Sequence, residues 1–191
     1  MVVEAVADAV AEAAADAAAE APDNFARCFA FTVGVEGGFT SNAADPGNWT
    51  GGALGAGQLR GTNFGISAAA YPNLDIAHLT EADAEAIYRR DYWAQLHGDE
   101  LPRAIALVGF DAAVNAGARR SIIWLQQAAG CAADGVLGPA TLAALRHADP
   151  GTIAHEALAR RLDFSARLPA WQNFGLGWAR RLIALAAALT Q

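Results

Sequence analysis

The sequence predicts a mainly α-helical protein with one small irregular β element near Asp45. Three observations predict it. From Phe25 onward, apolar residues recur at helical spacing in several separate stretches. Most of these stretches are bounded by a helix start or stop signal. Only Thr40 to Gly65 lacks the helical period, being rich in Gly, Asn, Thr and Asp instead. No repeat and no sustained strand alternation is present.

Residues 1–21 form an alanine-rich extension with acids at Glu4, Asp8, Glu12, Asp16 and Glu20. The step of four keeps neighbouring like charges on one helical face, where they repel, so alanine propensity must carry the helix until Pro22. Next, Phe25, Cys28, Phe29, Thr32 and Val33 mark an amphipathic helix. Glu36 stands three residues past Val33 and shares that inward stripe, with Gly37 and Gly38 expected to stop the helix. Turns or a small hairpin follow, then a short helix around Ala68–Ala70 and a loop through Tyr71–Leu79. Thr80 with Asp83 resembles a capping box, backed by Ala84, Ile87, Tyr88 and Tyr92. Further helices are expected over Arg103–Ala116 and Ser121–Ala129. Asp134-Gly135-Val136-Leu137-Gly138-Pro139 reads as a tight turn whose proline opens another short helix. Helices over Thr152–Leu168 and Gly175–Leu189 close the chain.

With 54% hydrophobic and 17% charged residues, the 191-residue chain falls in the globular class. Its net charge is −7 and every basic residue is an arginine. No basic stripe suits a phosphate backbone, so nucleic acid is not an expected partner. The adjacent pairs Arg89–Arg90, Arg119–Arg120, Arg160–Arg161 and Arg180–Arg181 read as solvated faces with local ion pairs. Cys28 falls on an apolar helix side, as a buried free thiol does, and a bridge to Cys131 is left open. No apolar run approaches the ~20 residues a membrane span needs. The N-terminus lacks the features of a secretion signal. A monomer that stays in the cytoplasm where it is made is the expectation.

Two carboxylates stand out. Hydrolysis of a glycosidic bond needs a proton for the leaving oxygen and stabilisation of the positive charge that builds on the sugar. Glu36, beside Val33, Val35 and Phe39, has the apolar setting that keeps a carboxyl protonated. Asp45, among Asn42, Asn48 and Thr50, has a wetter setting that favours the ionised form. Each also has a plainer reading: Glu36 as part of a helix end, Asp45 as a turn former before Pro46-Gly47. Asp111 and Asn115, four apart on one helix face, read as a hydrogen-bonded pair beneath a cleft or as sugar contacts. Trp49, Tyr71, Tyr92 and Trp93 could stack on sugar rings, with core packing the ordinary alternative for Tyr92 and Trp93. His78, His97, His147 and His155 lack metal-ligand spacing, and neither a serine-hydrolase elbow nor a phosphate loop is present. No metal and no cofactor are expected.

The order Glu36-Gly37-Gly38-Phe39, Asp45-Pro46-Gly47, Gly61-Thr62-Asn63-Phe64-Gly65-Ile66-Ser67, Ile87-Tyr88 and Tyr92-Trp93 resembles glycoside hydrolase family 108. Phe110-Asp111, Asn115-Ala116-Gly117, Leu125-Gln126, Asp134-Gly135, Gly138-Pro139 and Gly177-Trp178 extend the likeness to about residue 185. The resemblance implies a lysozyme-like α-helical domain whose β element lies near the active site. It implies a catalytic muramidase region over 22–110 and a helical peptidoglycan-binding region over 111–191. By it, Glu36 matches the catalytic acid, Asp45 a family aspartate and Thr62 a family threonine. Residues 48–60 look like an insertion between the last two, and Thr50 rivals Thr62 for the hydroxyl role. Trp49, Asn63, Tyr71, Asp111 and Asn115 are the candidate substrate contacts. The implied activity is cleavage of the β-1,4 bond between N-acetylmuramic acid and N-acetylglucosamine by an endolysin or a phage-like-particle hydrolase. Such an enzyme would stay cytoplasmic until a holin-like route released it to the wall. The alternatives are a lytic transglycosylase and a non-catalytic wall-binding module of a phage-like particle.

Overall fold

The computed structural model describes residues 23–34 and 38–189. The extension at 1–21 and Glu36 itself lie outside the described residues.

Seven α-helices and one two-residue-stranded hairpin make up the described architecture, a mainly α, lysozyme-like fold. Helix α1 spans Asn24–Thr32, opened by Asp23, whose side chain accepts from the Ala26 N–H at 2.6 Å. It buries Phe25, Cys28, Phe29 and Thr32. The sequence places its end at Gly37, but the helix stops sooner. Val33 returns its N–H to the Phe29 carbonyl, and Gly34 takes a left-handed φ of 69°. Gly34 is the first residue beyond the stripe that can adopt the terminating conformation without a Cβ clash, and the chain uses it. The expected place of Glu36 on the inward stripe lies outside the described residues.

The hairpin pairs β1 (Thr62–Asn63) with β2 (Ile66–Ser67), antiparallel, with Thr62 opposite Ser67 and Asn63 opposite Ile66. Its two-residue turn needs positive φ at both centres, met by Phe64 at 49° and Gly65 at 74°. The Tyr88 hydroxyl donates to the Phe64 carbonyl at 3.1 Å, holding that non-glycine residue in place. Residues Ala68–Ala70, expected as a short helix, form a turn instead. The Ala68 and Ala69 N–H groups are drawn to the carbonyls of Gly61 and Gly47, at 2.9 and 3.0 Å.

Helix α2 (Glu81–Tyr88) opens with the expected capping box between Thr80 and Asp83. It runs into a single π turn, Arg89–Trp93. That turn carries Trp93 into the core, where the indole N–H donates to Asp99 at 2.9 Å. Helix α3 (Arg103–Ala116) is the central post, with every residue from Ile105 to Ala113 buried. It packs against α1, α4 (Ala118–Ala128) and α6 (Pro150–Ala166). Between α4 and α6 lies α5 (Pro139–His147), opened by Pro139 at its first turn as expected. The last helix, α7 (Trp171–Ala188), packs on α6.

One continuous buried cluster reaches from Phe25 to Leu185. Its centre is aromatic: Phe25 meets Trp93 and Phe110 edge-on at 5.5 and 5.8 Å, the arrangement that ring quadrupoles favour. The junction drawn between residues 110 and 111 falls within α3. Both cysteines are free thiols, and burial pushes the Cys28 thiol up to about 12. Among the described residues no helix is long and apolar enough to cross a membrane.

Candidate active site

The buried side-chain amide of Asn48 helps hold the loop that carries Asp45 against the hairpin. Asn48 has no exposed surface. Its Nδ2 donates to the Asn42 carbonyl at 3.0 Å, and its Oδ1 accepts from the Thr62 hydroxyl at 2.7 Å. The Asn48 carbonyl in turn accepts from the N–H groups of Arg60 and Gly61. Thr40 and Thr62 exchange two backbone hydrogen bonds at 2.9 and 2.8 Å. A buried polar group so fully satisfied fixes one geometry, because any slip would leave a donor or acceptor unpaired.

Asp45 sits exposed on this frame. One carboxylate oxygen accepts from the Gly47 N–H at 2.8 Å and caps the short 3₁₀ turn Pro46–Asn48. Among the described residues the carboxylate has no ion-pair partner. With the Gly47 N–H as its one side-chain hydrogen-bond partner among the described residues, the exposed carboxylate keeps acceptor capacity for water or a sugar hydroxyl. Thr62, half-buried, spends its proton on Asn48 but keeps oxygen lone pairs. Thr50, the rival hydroxyl, accepts from the Gln58 N–H at 2.9 Å inside its own loop.

Residues 48–60 fold as a narrow two-armed excursion. Trp49 bridges to Leu59, and the Thr50 and Gly51 N–H groups reach the carbonyls of Gln58 and Ala56. The Trp49 indole N–H donates to the Ala43 carbonyl at 3.0 Å, so the ring is half-buried and tied to the Asp45 loop. Phe39, next to the undescribed Val35–Gly37, is 48% exposed. Its ring lies over Gly61, where a Cβ would approach it to 2.6 Å. Phe39, Leu59, Arg60 and Leu74 help line an open cavity of about 480 Å³.

The remaining candidates separate. Asn63 turns inward, its amide donating to the carbonyls of Ile76 and Leu79 at 3.2 and 3.3 Å, and so secures the loop after the hairpin. Tyr71 is half-buried, and its hydroxyl donates to Asp91 at 2.7 Å. Burial raises the Tyr71 phenol well above its ordinary value, and the Asp91 bond adds to this. Asp91 is held below the usual carboxylate range, first by its bond to Arg90 and also by Tyr71.

Asp111 is not open to a sugar, contrary to the expectation of a substrate contact. It has no exposed surface, and its carboxylate accepts from Arg161 at 2.5 Å and from the Arg181 Nε at 2.9 Å. Arg181 also donates to the Thr32 carbonyl at 2.8 Å, reaching the last turn of α1. Helix α3 is enclosed on several sides, and a carboxylate inside it must find internal cations. Asn115, one turn further on, is exposed, and its amide donates to the Asp111 carbonyl at 2.8 Å.

Sequence reasoning passed over Asn48, because an asparagine between Gly47 and Trp49 looks like any turn former. It took Phe39 as an apolar neighbour of Glu36 and a motif residue, not as a surface for substrate. It also read Leu125-Gln126 and Asp134-Gly135 separately, whereas the buried Gln126 amide ties them together. Its Nε2 donates to Asp134 at 2.7 Å and its Oε1 accepts from the Gly135 N–H at 2.9 Å. Among the described residues no group of His, Cys, Asp and Glu gathers as metal ligands would.

No curated protein matches the chain. The family model for glycosyl hydrolase 108 matches residues 29–117. The solved structure of Brucella abortus SagA is 30% identical, over 87% of this chain and 93% of that one, with a TM-score of 0.72. The chain belongs to glycosyl hydrolase family 108. As a family 108 member it is a glycoside hydrolase, and membership supports peptidoglycan as its substrate class. The family match spans Glu36, Asp45, Thr62 and the ion-paired Asp111.

Proposed function

We propose that this family 108 enzyme cleaves the β-1,4 bond between N-acetylmuramic acid and N-acetylglucosamine, with Glu36 as general acid. The observation that carries the reading is Asp45: an exposed carboxylate, anchored by one backbone N–H and without a further partner among the described residues, on a loop locked to Thr62 through Asn48. A structural aspartate would be spent on cations or several donors, as Asp111 is. Asp45 keeps an oxygen for water or for the positive charge that develops on the sugar. Glu36 protonates the leaving oxygen, and Asp45 and Thr62 orient the attacking water. Trp49 and Phe39 offer flat apolar faces to the pyranose rings. The enzyme acts at the cell wall, as an endolysin or with a phage-like particle.

Purified sacculi incubated with wild type, Glu36→Gln and Asp45→Asn proteins test this reading. Wild type is expected to release fragments with reducing ends, and Glu36→Gln to release almost none. Products lighter by one water, with anhydro ends, would identify a lytic transglycosylase instead. A folded Glu36→Gln protein that clears sacculi at the wild-type rate would end the acid role.

A further inference from the structure

On the side of the molecule built by α3, α4, α6 and α7, two cavities lie next to each other. The larger, about 560 Å³, is lined by Asp91, Tyr92, Gln95, Gly117, Arg119 and Arg120. The smaller, about 210 Å³, is lined by Asn115, Trp124, Phe164 and Trp178 among others. Ala116 and Arg120 line both, so the trough consists of two adjacent cavities that share a wall. Asp91 on its wall accepts a hydrogen bond from the Tyr71 hydroxyl at 2.7 Å.

The charge of this trough differs from that of the whole protein. Asp91 is already matched by Arg90 at 2.6 Å. Arg119 gives one nitrogen to the Asp134 carbonyl at 3.2 Å, and no carboxylate pairs with it among the described residues. Arg120 is exposed, lies 4.3 Å above the Phe164 ring, and likewise has no carboxylate partner among the described residues. The ring orients the guanidinium without neutralising it. A chain of net charge −7 therefore presents uncompensated arginine forks inside a concave, aromatic-walled groove. Helix α4 begins at the same place, behind Gly117 and without a side-chain cap, and its first N–H groups add to the positive potential. Planar forks beside flat apolar faces suit a ligand that carries carboxylates on short aliphatic units.

We propose that this trough is a subsite for the carboxylate-bearing peptide stem of peptidoglycan, with Arg120 as the principal contact and Arg119 assisting. The proposal rests on the peptidoglycan reading of the active site. It makes the enzyme selective for glycan strands that still carry their peptides over strands stripped of them. The Arg119–Arg120 pair, which looks in sequence like a solvated helix face, becomes the specificity element.

Calorimetric titration with a soluble stem tetrapeptide containing D-glutamate and a diamino acid tests the subsite without turnover. Chitotetraose serves as the uncharged comparison. Wild type is expected to bind the tetrapeptide, and Arg120→Gln to weaken that binding roughly tenfold while leaving chitotetraose unaffected. Arg120→Lys, which keeps charge but loses the fork, should fall between them. Equal weakening toward both ligands, no weakening, or no tetrapeptide binding by wild type would overturn the subsite. Cleavage of sacculi is scored separately. Intact cleavage without a tetrapeptide effect removes the subsite alone, and tetrapeptide binding without cleavage removes the hydrolase reading alone.

Discussion

Asp111 on α3 and Arg161 on α6 meet at 2.5 Å, and Asp111 has no solvent-exposed surface at all. Arg181 on α7 closes on the same carboxylate and also binds the Thr32 carbonyl. Four helices are thereby joined at one buried anion, among them the helix that leads to Glu36. Such an arrangement adds little net stability over an apolar core, but breaking it strands charges in the interior.

Replacing Asp111 with Asn therefore leaves Arg161 nearly buried and without a counter-charge. The expected loss is about 3 kcal/mol, because Arg181 is a third exposed and can be rehydrated. Urea unfolding of the variant measures it. A loss well under about 1 kcal/mol would mean the two arginines find other partners.

Thr62→Val removes the one proton offered to the buried Asn48 Oδ1. An unsatisfied buried acceptor costs about 1–3 kcal/mol, whereas Thr62→Ser keeps the hydroxyl and should stay close to wild type. Thermal melts of the two variants, compared with their activity on sacculi, separate the structural bond from any catalytic use of the same oxygen.

Asp45→Asn discriminates between a cap and a catalytic charge. Asparagine caps as well as aspartate, so unfolding should shift by no more than about 0.5 kcal/mol. Turnover should nevertheless fall about a hundredfold, the scale of a lost general base. Full activity in the variant would reduce Asp45 to a turn former.

Asp91 and Asp134 should mark the acid limit of stability. Asp91 is held below its ordinary 3.8 chiefly by Arg90, and Asp134 below the same value chiefly by the Gln126 amide. A carboxylate depressed in the folded state stabilises fully above its unfolded pKa and loses that contribution as pH falls through the folded value. Unfolding midpoints should therefore be insensitive to these groups near neutrality and drop below pH 3.8. Asp91→Asn should flatten part of that drop. Titration of Asp91 at or above 3.8 by NMR would contradict the assignment.

Where the determinants are local, the sequence was legible. Helix α3 has the bounds its apolar period indicates, and α2 and α5 open at Thr80 and Pro139 as their caps require. It was less so where tertiary contact chose between local options. Gly34 and Gly37 could each end α1, and the chain used the earlier. Helix α7 begins at Trp171 rather than Gly175, because the Trp171 ring covers the face where a Gly175 side chain would lie, at 2.6 Å. That packing offsets the helix penalty of the glycine.

By itself the sequence determined the helical class, most helix positions and the ordered motifs of a glycoside hydrolase, since a helix is written in contacts three or four residues apart. Tertiary structure alone decided which polar residues face solvent and which face each other. Asn48 meets Thr62 across 14 positions, and Asp111 meets Arg161 across 50 and Arg181 across 70. At those separations neither partner's identity is encoded near the other, so only the packing of the helices can tell a structural carboxylate from one left free for chemistry.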